Sequence, residues 1–269
     1  MKRTVFLIAV LLSLGAFTAL AQEETEEEVE PKKYAVVVGI SDYPGSENDL
    51  RYTDDDAREI NSLLKSQGYE TKLLLDRDVT KTNIKNSMGW LQLNATKKDT
   101  VVFYFSGHGY QDRDVGIKDE KDGLDEYLVN HDYEKNGMLR DDELAEYMKD
   151  IDGTKVVVLD TCHSGGFIDG SSDLAEDGYV VITASDADEY SQESPRLENG
   201  VFTYYFLKGA DGKADANNDG NMTTDELYDY ADPKATGYNP DQHAQYHDGV
   251  EGDTVLITTP VKTENEPAP

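Results

Sequence analysis

Val156-Val157-Val158-Leu159-Asp160-Thr161-Cys162-His163-Ser164-Gly165-Gly166 is the stretch around which the chain is built. Three valines and a leucine make the continuous apolar run of a fully buried parallel strand, which an acid and a glycine-rich turn then end. Cys162, the only cysteine in 269 residues, stands at the carboxyl end of that strand. Open α/β sheets carry their reactive groups at this end. Thr100-Val101-Val102-Phe103-Tyr104-Phe105 has the same design and runs into Ser106-Gly107-His108-Gly109. A thiol at one strand end and an imidazole at another, 54 positions apart, make a candidate Cys/His pair for nucleophilic catalysis.

Strands and helices alternate outward from these two runs. Tyr34–Ile40 and Glu70–Leu75 read as strands. Thr53 is a suitable N-cap for a helix over residues 54–65, with three acids in its first turn and Gly68 as its stop. Thr80 or Thr82 opens a second helix reaching about Leu93. The polar, glycine-containing stretch 110–125 reads as a mobile loop beside the site, with a short extended segment at 126–130. Helices are expected over residues 138–150 and 199–208, and strands over 179–184 and 254–258. Alternation of this kind builds βαβ units and a parallel sheet.

The N-terminus reads as an export signal. Lys2 and Arg3 precede an uncharged apolar run from Thr4 to Ala21 that ends in Ala19-Leu20-Ala21. A signal peptide over 1–21, cleaved after Ala21, is expected, giving a secreted or periplasmic protein without stable membrane association. An uncleaved anchor is the competing reading, since the run approaches the ~17-residue minimum of a spanning helix. Residues 22–33 form an acidic linker, 34–260 the domain and 261–269 a tail. The formal charge of −30 repels nucleic acid and anionic membrane. It is equally the charge of a solvated surface in a salty habitat. A lone cysteine in an exported chain forms no internal disulfide, so its thiol is free.

Ser-Gly-His108-Gly and Asp-Thr-Cys162-His-Ser-Gly-Gly together resemble the two catalytic blocks of the caspase-like cysteine peptidases, in their metacaspase and prokaryotic orthocaspase branch. The resemblance covers roughly residues 33–260. It implies a caspase-like α/β/α sandwich around a mainly parallel six-stranded sheet. It also implies His108 as general acid/base, Cys162 as nucleophile, and the amides of Gly109 and Cys162 as the oxyanion hole. The nucleophile block departs from the animal caspase pattern, which argues against carrying over a preference for aspartate. Asp160, Asp56 and Ser106 match the family's pocket for a basic P1 side chain, so protein or peptide substrates with Arg or Lys at P1 are implied. A guanidinium facing two carboxylates is a sound bidentate geometry. Asp56 also reads as one of three acids complementing a helix dipole. His163 is read as structural, because neighbouring side chains point apart at a strand end. His131, His243 and His247 carry no motif.

Two stretches point to Ca²⁺, and none to an organic cofactor. Asp215, Asn217, Asp219, Asn221, Thr223 and Glu226 fill positions 1, 3, 5, 7, 9 and 12 of an EF-hand-like loop, with Gly220 at position 6. A helix is expected after it, through Tyr230. The competing reading is an Asp/Asn/Gly-rich turn that binds nothing. By resemblance alone, Asp125, Asp141, Asp142 and Asp169 match the calcium ligands of calcium-dependent metacaspases. Asp141 and Asp142 read equally as the acidic first turn of a helix. The expected protein is a monomeric, exported, calcium-stimulated endopeptidase. A non-catalytic calcium-binding interaction module on the same fold is the alternative. Arg113, Lys118 and Lys121 are candidate self-cleavage points.

Overall fold

The computed structural model describes residues 30–113, 122–170 and 174–259. The signal peptide, nearly all of the acidic linker, Lys118, Lys121 and the 261–269 tail lie outside the described residues. In chain order the strands are β1 (Lys33–Gly39), β2 (Glu70–Leu75), β3 (Thr100–Ser106), β4 (Gly109–Arg113), β5 (Leu124–Leu128), β6 (Leu139–Arg140), β7 (Thr154–Asp160), β8 (Tyr179–Thr183), β9 (Glu193–Ser194), β10 (Asn199–Gly200), β11 (Asn221–Thr223), β12 (Gln245–Asp248) and β13 (Val255–Thr258). The helices are α1 (Thr53–Ser66), α2 (Lys81–Asn94), α3 (Tyr133–Asn136), α4 (Asp141–Met148), α5 (Val201–Lys208) and α6 (Thr224–Tyr238). Among the described residues no helix is long and apolar enough to cross a membrane.

The central sheet has six strands in the order β12-β8-β7-β3-β1-β2. All neighbours are parallel except the β12–β8 pair at the edge. A strand buried on both faces sends successive side chains into two layers. On β3, Val101, Phe103 and Phe105 enter a core shared with Ile84, Met88 and Leu91 of α2 and Leu144 and Met148 of α4. Val102 and Tyr104 enter the opposite core, with Ile60 and Leu64 of α1, Phe202 and Phe206 of α5, and Leu227 and Ala231 of α6. The result is the α/β/α sandwich.

Several elements differ from the sequence expectations, each for a local reason. The 110–125 stretch is not all loop: Gly109–Arg113 pairs antiparallel with Leu124–Leu128, and β6 extends this small sheet. Leu139 and Arg140 are spent on that pairing, so the helix expected from 138 begins at Asp141. Asn199–Gly200 pairs with Glu193–Ser194, which delays the helix expected from 199 until Val201. Thr53 is not the N-cap of α1. Tyr52 holds that position, while the Thr53 hydroxyl donates to the Ile40 carbonyl at 2.6 Å. The Glu193 carboxylate accepts from the Arg51 and Tyr52 amides instead. Val255–Thr258 pairs with β11, not with the central sheet. The sixth central strand is Gln245–Asp248, whose polar sequence suits an edge but carries no strand signal. Thr80 does cap α2, accepting from the Asn83 amide, and Gly68 ends α1 at φ +83°.

Phe103 is fully buried at the centre of the sheet. Phe103→Ala is expected to lower stability by about 3–5 kcal/mol, read as a lower urea midpoint with an unchanged slope.

Candidate active site

Two registers assemble the site. β1, β3 and β7 are paired so that Gly39 lies beside Ser106 and Ser106 beside Asp160. The strands therefore end at one level, and two residues further along each chain stand His108 and Cys162. Both line a single cleft of about 170 Å³, together with Leu50, Asp160, Ser191, Gln192 and Glu193. That is well below the ~300–1,000 Å³ of small-molecule sites and suits a single side chain.

His108 is fixed from several sides. Its amide donates to the Tyr43 hydroxyl at 2.8 Å, its ring packs on the Tyr43 ring at 4.8 Å, and Nε2 lies 2.9 Å from the Asn48 carbonyl. Buried Tyr43 in turn donates to the Val129 carbonyl. Cys162 is half-buried, and its thiol donates to the Ser191 carbonyl at 3.6 Å. Burial, and then the Asp160 charge, push the thiol above its ordinary value, partly offset by the bond to Ser191. Gly109 lies directly against the Cys162 backbone: a Cβ there would fall 2.0 Å from the Cys162 carbonyl oxygen. Only glycine permits so close an approach.

The other imidazoles lie elsewhere. His163 sits in the left-handed region at φ +60°, its Nδ1 2.8 Å from the Ala187 carbonyl and its ring edge-on to Tyr190. It does not line the cleft. His243 bonds the Glu189 carboxylate at 2.6 Å, which raises its pKa. His131 and His247 are likewise outside the cleft.

Two acids back the cleft, Asp160 in its lining and Asp56 behind Ser106 and Gly200. Asp56 and Asp160 are both buried, at 0% and 4% exposed. Gly39 allows this: a Cβ there would meet Ala57 Cβ and the Thr53 carbonyl at 2.4 Å, so α1 rests directly on the end of β1 and delivers Asp56 to the site. Asp56 accepts from the Ser106 hydroxyl at 3.0 Å, from Asn199 Nδ2 at 2.9 Å and from the Gly200 amide. Asp160 accepts from the Ser191 hydroxyl at 2.5 Å and from the amide and hydroxyl of Thr203 at 3.0 and 2.6 Å. A Cβ on Gly200 would stand 2.6 Å from an Asp160 oxygen and 3.0 Å from an Asp56 oxygen, so glycine leaves both carboxylates room. Burial first, then the neighbouring Asp160 charge, raises the Asp56 carboxyl well above the usual carboxylate range. Burial raises Asp160 too, against its three hydrogen bonds.

Ser191, Gln192, Thr203, Asn199, Gln242 and Tyr43 all serve this site, and none was singled out from the sequence. Most lie in polar segments without periodicity. The one available signal was Asn199-Gly200 immediately before an apolar helical run.

The acidic residues match a hard cation unevenly. One carboxylate oxygen each from Asp125, Asp141 and Asp142 lies within 4.8 Å of the others, with Asp125 and Asp141 buried. The Arg140 guanidinium reaches Asp142 at 3.0 Å and Asp125 at 3.4 Å. Asp169 lies nearby: its charge and that of Asp141 add to burial in pushing Glu126 up to about 9. Glu126 itself packs on Gly166, four residues past Cys162, and its Oε2 is buried without a hydrogen-bond partner. In the 215–226 loop the carboxylates turn onto the loop's own amides: Asp215 accepts from Asp219 and Gly220, Asp219 from Asn221, and Glu226 from Ala216 and Thr223. Asp215, Asp219 and Glu226 do not converge as the Asp125 trio does. The helix after the loop runs through Tyr238, beyond the expected Tyr230.

A six-stranded, mainly parallel α/β/α sandwich with its cleft at the ends of the two central strands defines the caspase-fold class. The caspase domain profile matches residues 32–231. The chain belongs to that family, of metacaspase type. It is 35% identical over 154 residues to metacaspase-1 of Candida albicans, covering 51% of this chain and 34% of that protein. It is 33% identical over 215 residues to metacaspase-3 of Arabidopsis thaliana, covering 66% and 59%. The chain thus spans about a third to three-fifths of these relatives. The fold also matches a crystal structure of a protein from Geobacter sulfurreducens, with a TM-score of 0.67 at 19% identity over 86% of this chain and 100% of that one.

With its pKa raised, Cys162 in the free protein should be alkylated by iodoacetamide slowly near neutrality. The rate is expected to reach half its plateau at a pH above ~8.5, the midpoint of an ordinary cysteine. Mass spectrometry of the Cys162 peptide across pH reads this directly.

Proposed function

We propose that this protein is an exported cysteine endopeptidase that cuts after Arg or Lys and is stimulated by Ca²⁺. The observation that carries the reading is the convergence of His108, Cys162 and the Asp160 carboxylate on one cleft of side-chain size, with the buried Asp56 carboxylate directly behind the lining residues Ser106 and Gly200. Hydrolysis would start with His108 taking the Cys162 proton as Sγ attacks the scissile carbonyl. The amides of Gly109 and Cys162 would hold the oxyanion, each such donor typically contributing ~10²–10³ in rate. The imidazolium then protonates the leaving amine, and His108 next deprotonates a water that hydrolyses the thioester and regenerates the thiol. In the free protein the imidazole is held by the Asn48 carbonyl and the thiol by the Ser191 carbonyl. Substrate would draw both inward, as catalytic hydrogen bonds often tighten only in the complex.

Asp56 and Asp160, supported by Ser106, form the seat of the P1 cation. Both carboxyls are raised in the free protein, and a guanidinium between them favours their ionised forms. Asp125, Asp141, Asp142 and Asp169 are the proposed calcium ligands beside the site, where the ion would neutralise the acids that press on Glu126. The 215–226 loop is proposed as a second, more weakly held calcium site, because its donors are present but turned onto the backbone. Export rests on the N-terminal signal, and the protein is proposed to act as a monomer.

The test is hydrolysis of fluorogenic peptides with Arg, Lys, citrulline or Asp at P1, in millimolar calcium and in chelator. Cleavage after Arg and Lys, lost in Cys162→Ala and reduced at least ~10²-fold in His108→Ala, is the expected result. Calcium-bound but Cys162-independent behaviour would instead support the non-catalytic binding module.

Finer outcomes follow from the acids. KM for Arg peptides should fall as pH rises through the raised carboxyl titration, since protons compete with the cation, while KM for citrulline peptides stays flat. Asp160→Asn should cost Arg peptides ~10-fold or more in kcat/KM, the loss expected of one charge-assisted contact. Calcium stimulation should vanish in Asp141→Ala, with calorimetry showing one class of bound Ca²⁺ lost and a weaker class retained. That weaker class should in turn vanish in Asp215→Ala.

A further inference from the structure

Gln242 lies 80 positions beyond Cys162, after α6, and its side chain is fully buried. Every polar atom of its amide is engaged. Nε2 donates to the Ala184 carbonyl at 3.0 Å and to the Ser191 hydroxyl oxygen at 3.1 Å. Oε1 accepts from the Gln192 amide at 3.3 Å and from Asn239 Nδ2 at 3.4 Å. These partners fix which end is which. A carbonyl can only accept, so the group facing Ala184 must be the NH₂; a backbone amide can only donate, so the group facing Gln192 must be the oxygen. The residue's own backbone is also anchored, its carbonyl accepting from Thr236 and its amide donating to Asn239.

The consequence appears at Ser191. A serine hydroxyl has one hydrogen and two lone pairs. Gln242 Nε2 already donates to that oxygen, so the single hydrogen is free to point away from Gln242. It points to Asp160 Oδ1 at 2.5 Å. A donor aimed at a carboxylate stabilises its charged form. We infer that Gln242 is a specificity-determining positioning residue: its amide orients the Ser191 hydroxyl onto Asp160, and through that bond sets the preference of the cleft for a cationic P1 side chain. The same amide holds Ser191 and Gln192 as the wall of the cleft, so one buried glutamine ties α6 to the site. Gln242 touches neither the substrate cleft nor the reacting atoms, and acts through Ser191. A polar residue placed there merely for solubility would not be fully buried with all its hydrogen-bonding groups used.

The inference rests on the proposed preference for basic P1 residues. The experiment compares kcat/KM for matched peptides with Arg or its neutral isostere citrulline at P1, on the whole chain. The variants are Gln242→Leu, Ser191→Ala and the two combined, each checked by circular dichroism and thermal melting. The ratio of Arg to citrulline is the readout, because a general loosening of the fold lowers both rates together. Expected is a fall in that ratio of about tenfold in Gln242→Leu, the scale of one hydrogen bond to a charged group. A similar fall is expected in Ser191→Ala, and no further fall in the double variant. An unchanged ratio in folded Gln242→Leu, or independent losses that multiply in the double variant, would overturn the inference. Should Gln242→Leu fail to fold, Gln242→Met is read in its place. Should neither fold, an undiminished ratio in Ser191→Ala overturns it alone. Wild-type protein that cleaves both peptides equally, or neither, sinks the proposed specificity itself and this inference with it, an outcome distinct from a preference that survives the substitutions.

Discussion

The parallel register that sets Ser106 beside Asp160 is the constraint on which the rest depends. A side-chain period of two makes register unforgiving: a slip of one residue exchanges the two faces of the strand. On β3 such a slip would send Val102 and Tyr104 into the layer built for Phe103 and Phe105. The cores on both faces therefore hold the register, and the register levels the strand ends. The geometry of the cleft is thus inherited from hydrophobic packing, since His108 and Cys162 each stand two residues past a strand end that the cores have aligned. Glycines then let the emerging chains approach one another: Gly109 against the Cys162 carbonyl, Gly107 against Ile40 and Tyr43, and Gly39 under α1.

Burying two carboxylates behind one cleft costs free energy unless each is hydrogen-bonded, and each additional donor offsets part of the cost. The structure supplies donors generously. Asp56 receives Ser106, Asn199 and Gly200; Asp160 receives Ser191 and both groups of Thr203. Those donors come from β3, β10, the 184–193 segment and α5, so several elements converge on two side chains. Even so, both carboxyls remain raised, because burial outweighs the bonds. A cation seated against these carboxyls would favour their ionised forms.

Much of this was readable in the chain. β1, β3, β7 and β8 announce themselves as apolar runs rich in valine and isoleucine, and α2 through its Thr80 cap. The His108 and Cys162 blocks were legible because glycine, a reactive group and a strand end coincide. What could not be read was whatever depends on pairing. β12 is a polar edge strand, β4 and β6 exist through the small antiparallel sheet, and β13 has an apolar sequence that does not say which sheet takes it. Thr53 has the chemistry of a cap, but the Ile40 carbonyl takes its hydroxyl and the Glu193 carboxylate, 140 positions beyond, covers the exposed amides. Ser191 and Gln242 were invisible for a related reason. A polar residue in an irregular segment declares its role only through partners distant in sequence, Asp160 and Ala184 here.

A raised thiol runs against the proposed role of Cys162 as nucleophile, which must be a thiolate to react. The causes of the shift resolve the conflict. Burial is the largest, and the Asp160 charge adds to it. A P1 guanidinium seated against Asp160 would cancel that charge, leaving burial and a proton to move onto His108 across the same cleft. The thiol would then be hardest to ionise in the empty site and easier once a basic side chain is in place. In the proposed exported setting that order of events would protect the cysteine, because oxidation requires the thiolate just as catalysis does. The acidic pair would then act twice, first selecting the substrate and then, once neutralised by it, ceasing to suppress the nucleophile.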